Sequence, residues 1–162
     1  MILAFSRPLR VRIVPIGSGA QVVAQLGNHR RAPLDGPAIC VLDGDVTDGD
    51  LRAWSNTAGL SSTASCLQLP GDSPPETWVL DVLLTDPYRD ELARSARLEA
   101  GPLAATLEQL RTTRDHHDIP RDFALRHAID EDNASHMLTS CVADHPDLQP
   151  IRDHVASVLD GA

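Results

Sequence analysis

Ala38-Ile39-Cys40-Val41-Leu42-Asp43-Gly44-Asp45 is an apolar run that ends on two carboxylates separated by one glycine. Introduced by Gly36-Pro37 and closed by Gly44, a run of this length predicts a fully buried strand of a parallel sheet rather than a helix. The acids then stand at the strand's carboxyl end, the edge of an open α/β sheet where strand-to-helix loops converge and ligands bind. Two carboxylates two residues apart can aim at one hard cation such as Mg²⁺, which takes a few carboxylates plus waters and recruits substrate phosphates. The same spacing also describes an acidic turn that merely opens the next helix.

At 162 residues the chain suits one domain with a substantial core. Hydrophobic residues make up 42% but aromatics only 3%, so that core must be built from Leu, Val, Ile and Ala. The composition is that of a globular protein, not a disordered one. No run approaches the roughly 18 apolar residues of a membrane span, and Met1 to Phe5 is too short for a signal-peptide core before Arg7 interrupts it. A cytoplasmic protein without a membrane partner is the expectation. Cys40, Cys66 and Cys141 are far apart in sequence, odd in number and set among apolar residues, the pattern of reduced core cysteines rather than zinc ligands or a disulfide framework.

The formal net charge of -9 hides a polarity along the chain. No acid precedes Asp35, while Arg7, Arg10, Arg12, Arg30 and Arg31 give that stretch +5, and the remainder carries -14. All 14 basic residues are arginine, which base composition of the genome explains as well as function does. An acidic surface argues against nonspecific nucleic-acid binding, yet a local arginine cluster can still hold phosphates.

A rhythm organises the first half. Val11 to Ile16 reads as a strand, Gly17-Ser18-Gly19 as a turn, and Ala20 to Leu26 as a helix with Val22, Val23 and Leu26 on its apolar side. Ala38 to Leu42 is the next strand and Asp48 to Trp54 the start of the next helix. Ser65 to Leu69 is the third strand, closed by Pro70-Gly71. Strand starts about 27 residues apart suit βαβ crossovers. The expected fold is therefore α/β, a small Rossmann-like parallel sheet of about three strands with flanking helices over residues 1–85. A helical carboxyl-terminal region over 86–162 is expected to pack on it in a single compact domain.

From Pro74 onward every periodic segment is helical. Pro87 and Pro120 sit where helices can begin, with Asp86 a good cap for the first, and Gly101-Pro102 separates another whose Leu103, Leu107 and Leu110 share a face. Ala134, Met137, Leu138, Cys141 and Val142 form a buried stripe, and Ile151, Val155, Val158 and Leu159 form another.

Glu76 follows the third strand in Leu69-Pro70-Gly71-Asp72-Ser73-Pro74-Pro75-Glu76, on the same expected sheet edge as Asp43 and Asp45. It can complete a three-carboxylate metal site. Ser73-x-x-Glu76, with proline at the first helical position, is also a capping box, in which the glutamate satisfies a backbone donor.

Taken in order, Ile-Val-Pro-Ile-Gly-Ser-Gly (13 to 19), Val-Leu-Asp-Gly-Asp (41 to 45) and Leu-Pro-Gly-Asp-Ser-Pro-Pro-Glu (69 to 76) resemble the TOPRIM domain of OLD-family (overcoming lysogenisation defect) nucleases. The resemblance covers roughly residues 11 to 80. In that family the domain follows an ABC-type ATPase, and its acids hold divalent ions that cleave or nick DNA, often in phage defence. The resemblance implies Asp43, Asp45 and Glu76 as catalytic and metal-binding residues, Mg²⁺ or Mn²⁺ as cofactor, and DNA as substrate. Arg12, Arg30, Arg31 and Arg114 are then candidates for the substrate phosphates.

Two departures qualify it. The family's first catalytic glutamate precedes the segment matching Val11, but the ten residues before Val11 contain no acid. The family also uses a lysine after the acidic motifs, whereas this chain has none; Arg114, beside Asp115-His116-His117-Asp118, keeps the charge but is no proton donor at neutral pH. There is no Gly-x-x-x-x-Gly-Lys-Ser/Thr phosphate loop either. The expectation is a truncated or partner-dependent nuclease subunit, with an ATPase or nuclease chain supplying the missing glutamate motif, or a degenerate remnant.

Other readings use the same residues. Asp43-Gly44-Asp45-Val46-Thr47 also fits the Asp-x-Asp-x-Thr motif of haloacid-dehalogenase-like phosphatases, with Asp43 as nucleophile and Asp45 as acid/base. An interaction module with a vestigial metal site is the non-enzymatic alternative. Gly17-Ser18-Gly19 lacks the third glycine of a dinucleotide fingerprint, and Asp43 to Trp54 lacks the glycine and terminal glutamate of an EF-hand. His116 and His117, read as helical neighbours, point about 100° apart and make a poor chelating pair.

Overall fold

The structure, a computed structural model, describes residues 14–33, 36–112 and 115–160. Two compact units emerge, one formed by residues 14–73 together with 147–160, the other by Pro74–Pro146.

The first unit is α/β. Ser18 accepts the Gln21 N–H and so caps α1 (Gly19–Arg31), whose Val23 and Leu26 are buried. Strand β1 (Cys40–Leu42), helix α2 (Asp48–Ala58) and strand β2 (Cys66–Gln68) follow. The strands pair in parallel, Cys40 beside Cys66, Val41 beside Leu67 and Leu42 beside Gln68. Val23, Leu26, Cys40, Leu42, Ala58 and Leu60 make one apolar cluster. Gly27 lets the two helices close on each other: a Cβ there would stand 2.5 Å from the Ala58 carbonyl oxygen. Gly59, at φ 70°, ends α2 with its N–H on the carbonyls of Asn56 and Ser55. Leu148, Ile151 and Val155 are buried as α8 (Gln149–Asp160) returns to this unit.

Two sequence expectations change here. Val41 is 36% exposed between buried Cys40 and Leu42, so β1 alternates and is not buried on both faces. A continuous apolar run cannot report that difference, because valine is tolerated on a solvated strand face. The sheet of the described residues has two strands, not three. Of the expected strand Val11 to Ile16, residues 14–16 carry no strand and 11–13 lie outside the described residues. The architecture is α/β in the coarse sense, rich in helix around a two-stranded parallel sheet.

The second unit is helical: α3 (Pro75–Leu83), α4 (Tyr88–Ala96), α5 (Ala100–Leu110), a 3₁₀ turn (His116–Asp118), α6 (Ile119–His127) and α7 (Glu131–Val142). Leu80, Leu83, Leu92, Leu103, Leu107, Leu110, Phe123 and Ala134 are fully buried in one cluster. Each large side chain so buried contributes about 1.5–3 kcal/mol. The stripe expected over Ala134 to Val142 is present, with Leu138 and Val142 buried and Met137 and Cys141 packed beside them.

Helix starts differ from expectation where prolines supply the signal. Gly101-Pro102 does not separate helices; both residues lie in the first turn of α5, where proline's missing N–H has no helical acceptor to lose. Pro87 rather than Asp86 occupies the cap position of α4, without a side-chain cap, and the Asp86 carboxylate instead accepts from Arg89 at 2.5 Å.

Candidate functional site

Asp43, Gly44 and Asp45 form the turn that leaves β1, closed by the Val46 N–H donating to the Asp43 carbonyl at 3.3 Å. Both aspartates are exposed. The chain leaving β2 lies against this turn: a Cβ on Gly44 would collide with the carbonyl oxygens of Gly71, Leu69 and Pro70. The Leu69 N–H bonds the Leu42 carbonyl at 2.9 Å, and the Gln68 side-chain amide donates to the Val46 carbonyl. The loops at the carboxyl ends of the two parallel strands therefore converge, as the position of the acids predicts.

The acids just beyond have another task. Thr47 caps α2 by accepting the Asp50 N–H at 3.1 Å, and its hydroxyl donates to the Asp50 carboxylate at 2.5 Å. Asp48 and Asp50 sit in the first turn, where negative charge complements the helix dipole.

Arg30 and Arg31 stand at the other end of the sheet. Arg30 donates to the Ser65 hydroxyl at 2.6 Å, just before β2 begins, and Arg31 donates to the Ala58 carbonyl at 2.8 Å and the Asn28 side chain at 2.6 Å. Arg30 thus ties α1 to the start of β2 and Arg31 ties it to the end of α2, and neither bond is to the Asp43–Asp45 turn. Arg12 and Arg114 lie outside the described residues.

Glu76 sits in the first turn of α3 within the helical unit. The helix starts one residue later than a Ser73 cap requires: Pro74 is the cap residue, there is no side-chain cap bond, and Pro75 holds the first helical position. Glu76 is thus not part of a capping box. Its Oε1 instead lies 3.3 Å from Nδ1 of His117, while its Oε2 is buried and has no hydrogen-bond partner among the described residues. One ligand atom from each of Glu76, His116 and His117 falls within 4.8 Å of the others.

This grouping corrects the helical reading of the histidine pair. His116 and His117 occupy a 3₁₀ turn, whose start is capped by Asp115 accepting the His117 N–H at 3.0 Å. Their ring centroids are 4.0 Å apart. The sequence signal lay in the neighbours: an Asx-type cap before the pair and Pro120 soon after it mark a turn rather than a helix interior.

Cys40 and Cys66, separated in sequence, face each other across the sheet, and burial together with the bond to Cys66 pushes the Cys40 thiol far up. All three cysteines are free. Among the described residues no helix is long and apolar enough to cross a membrane.

No protein-family model matches the chain, and neither curated proteins nor solved structures offer a significant match.

Proposed function

We propose that the α/β unit is a divalent-cation site for phosphodiester hydrolysis on DNA, a TOPRIM-type nuclease module in which Asp43 and Asp45 hold Mg²⁺ or Mn²⁺. One observation carries this reading: the Asp43-Gly44-Asp45 turn leaves the carboxyl end of a parallel strand and is braced by the loop leaving its neighbour. Hard cations favour carboxylate and water ligands, and two acids on one short turn leave most of the coordination sphere to water and phosphate.

A cation held by Asp43 and Asp45 would supply Lewis acidity toward a phosphoryl oxygen and acidify a water ligand. Asp43 and Asp45 supply the anionic ligands and fix where the cation sits. A partner ATPase or nuclease chain would complete the site with a further carboxylate and so strengthen the hold on a second cation.

Calorimetric titration of the full chain with MgCl₂ and MnCl₂ tests the reading, alongside an Asp43→Asn/Asp45→Asn variant and a supercoiled-plasmid nicking assay. Saturable binding that the variant loses, with Mn²⁺-dependent nicking lost in parallel, supports it. Absence of binding at millimolar cation sinks it.

A further inference from the structure

We infer that Glu76, His116 and His117 form a three-ligand site for a borderline divalent cation, Zn²⁺ first, with a fourth position open to water. The inference is independent of the Asp43 and Asp45 reading, since it rests on side chains that all belong to the helical unit.

The contact between Glu76 and His117 has the geometry of a long hydrogen bond and equally that of two ligands of one ion. A charge-assisted N–H···O contact is about 2.7–2.9 Å long, whereas Nδ1 of His117 and Oε1 of Glu76 are 3.3 Å apart. Two ligands about 2.0–2.1 Å from a tetrahedral cation are separated by about 3.3–3.4 Å. The pair is spaced as two corners of a coordination tetrahedron. The third ligand atom, from His116, needs only a small closing movement, because the whole set already falls within 4.8 Å.

Glu76 adds a second argument. A carboxylate oxygen buried without a donor is costly, and buried polar atoms are almost always satisfied. Oε2 of Glu76 is buried with no donor among the described residues, although the side chain as a whole retains 27% of its exposure. A cation beside the carboxylate compensates that oxygen through its charge. Two imidazoles with one carboxylate are a donor set for Zn²⁺ and its transition-metal neighbours; Mg²⁺ prefers oxygen alone. His117 is 71% exposed, which leaves the open position accessible to water.

The backbone holds the ligands in place. Pro75 sets the start of α3 and thereby the position of Glu76 in its first turn. Asp115 fixes the 3₁₀ turn through the His117 N–H, and buried Ile119 anchors the far end of that turn, its N–H on the His116 carbonyl.

The test is Zn²⁺ uptake by the full chain, measured by calorimetry and by equilibrium dialysis, with Co²⁺ as the spectroscopic probe. One Zn²⁺ per chain is expected. Glu76→Gln, His116→Gln and His117→Gln should each weaken binding at least tenfold, while His136→Gln, on the exposed face of α7, should leave it unchanged. Far-UV circular dichroism establishes that each variant is folded. Wild type loaded with Co²⁺ should show the intense visible absorption of a four-coordinate site, and a tenfold excess of Mg²⁺ should not displace it. Lack of stoichiometric Zn²⁺ uptake overturns the inference, as does uptake undiminished from wild type in the three ligand variants. Uptake lost only in Asp43→Asn/Asp45→Asn places the ion at the other turn and overturns it too. Failure of the Mg²⁺ titration leaves this site standing.

Discussion

Cys40 and Cys66 are register partners across the parallel strands β1 and β2, and the Cys40 thiol is only 4% exposed and pushed well above the usual cysteine range by burial and by its bond to Cys66. Since the thiolate is the reactive form, Cys40 should be the last of the three cysteines to react. Alkylation of the native protein followed by peptide mapping should leave Cys40 unlabelled after the partly exposed Cys66 is modified, and urea should abolish the protection. Equal labelling rates in the native protein would contradict the packing described.

Two glycine-to-alanine changes should move stability in opposite directions. At Gly27 a Cβ meets the Ala58 backbone oxygen and Cβ, and the backbone there cannot swing aside as a flexible side chain would. Gly27→Ala should cost about 1–3 kcal/mol, the range for overpacking. At Gly101, in the first turn of α5, a Cβ meets nothing within 4 Å. Gly101→Ala should stabilise by about 0.4–1 kcal/mol through the unfolded chain's lost freedom. Denaturant unfolding of both variants is the check.

Thr47 ends the Asp43–Asp45 turn and begins α2, so its cap bears on both. Thr47→Ala removes the acceptor of the Asp50 N–H and should cost about 1 kcal/mol. Thr47→Ser keeps the acceptor and should recover most of that loss in thermal melts.

His127 gives the helical unit a sensitivity to mild acid. Its ring lies 4.6 Å from that of Phe123, its Nε2 is buried with no partner among the described residues, and burial followed by the Arg126 charge lowers its pKa from the usual value. The unfolded chain therefore takes up a proton before the folded one does. Stability from this residue is complete above about pH 6.5 and falls as pH drops through the folded pKa. The melting temperature of wild type should decline between neutral pH and pH 5.5 more steeply than that of His127→Gln. Equal slopes would assign the decline to other groups.

Long-period patterns made the helices legible. Leu103, Leu107 and Leu110 recur at helical spacing and are all fully buried, and the Ala134 to Val142 stripe lies as its period requires. Strands of three residues carry too little pattern to show a face, so the exposure of Val41 was not readable from its apolar neighbours. The Asp43 and Asp45 turn was legible because its chemistry and its strand are contiguous. The Glu76 and His117 contact was not, since it joins residues 41 apart through the packing of α3 against a 3₁₀ turn. Local rules also misplaced the α3 cap by one residue, because Pro74 and Pro75 fix φ without any help from Ser73.

The α/β unit is discontinuous along the chain: it holds residues 14–73, and α8 belongs to it after the whole helical unit has intervened. Chains emerge from the ribosome in order, and domains fold as units while synthesis proceeds. The helical unit, from Pro74 to Pro146, is complete in the emerging chain before α8 has been made. Among the described residues the α/β unit is therefore closed only after the helical unit has been made, and a nascent chain stalled short of α8 lacks the buried Ile151 and Val155.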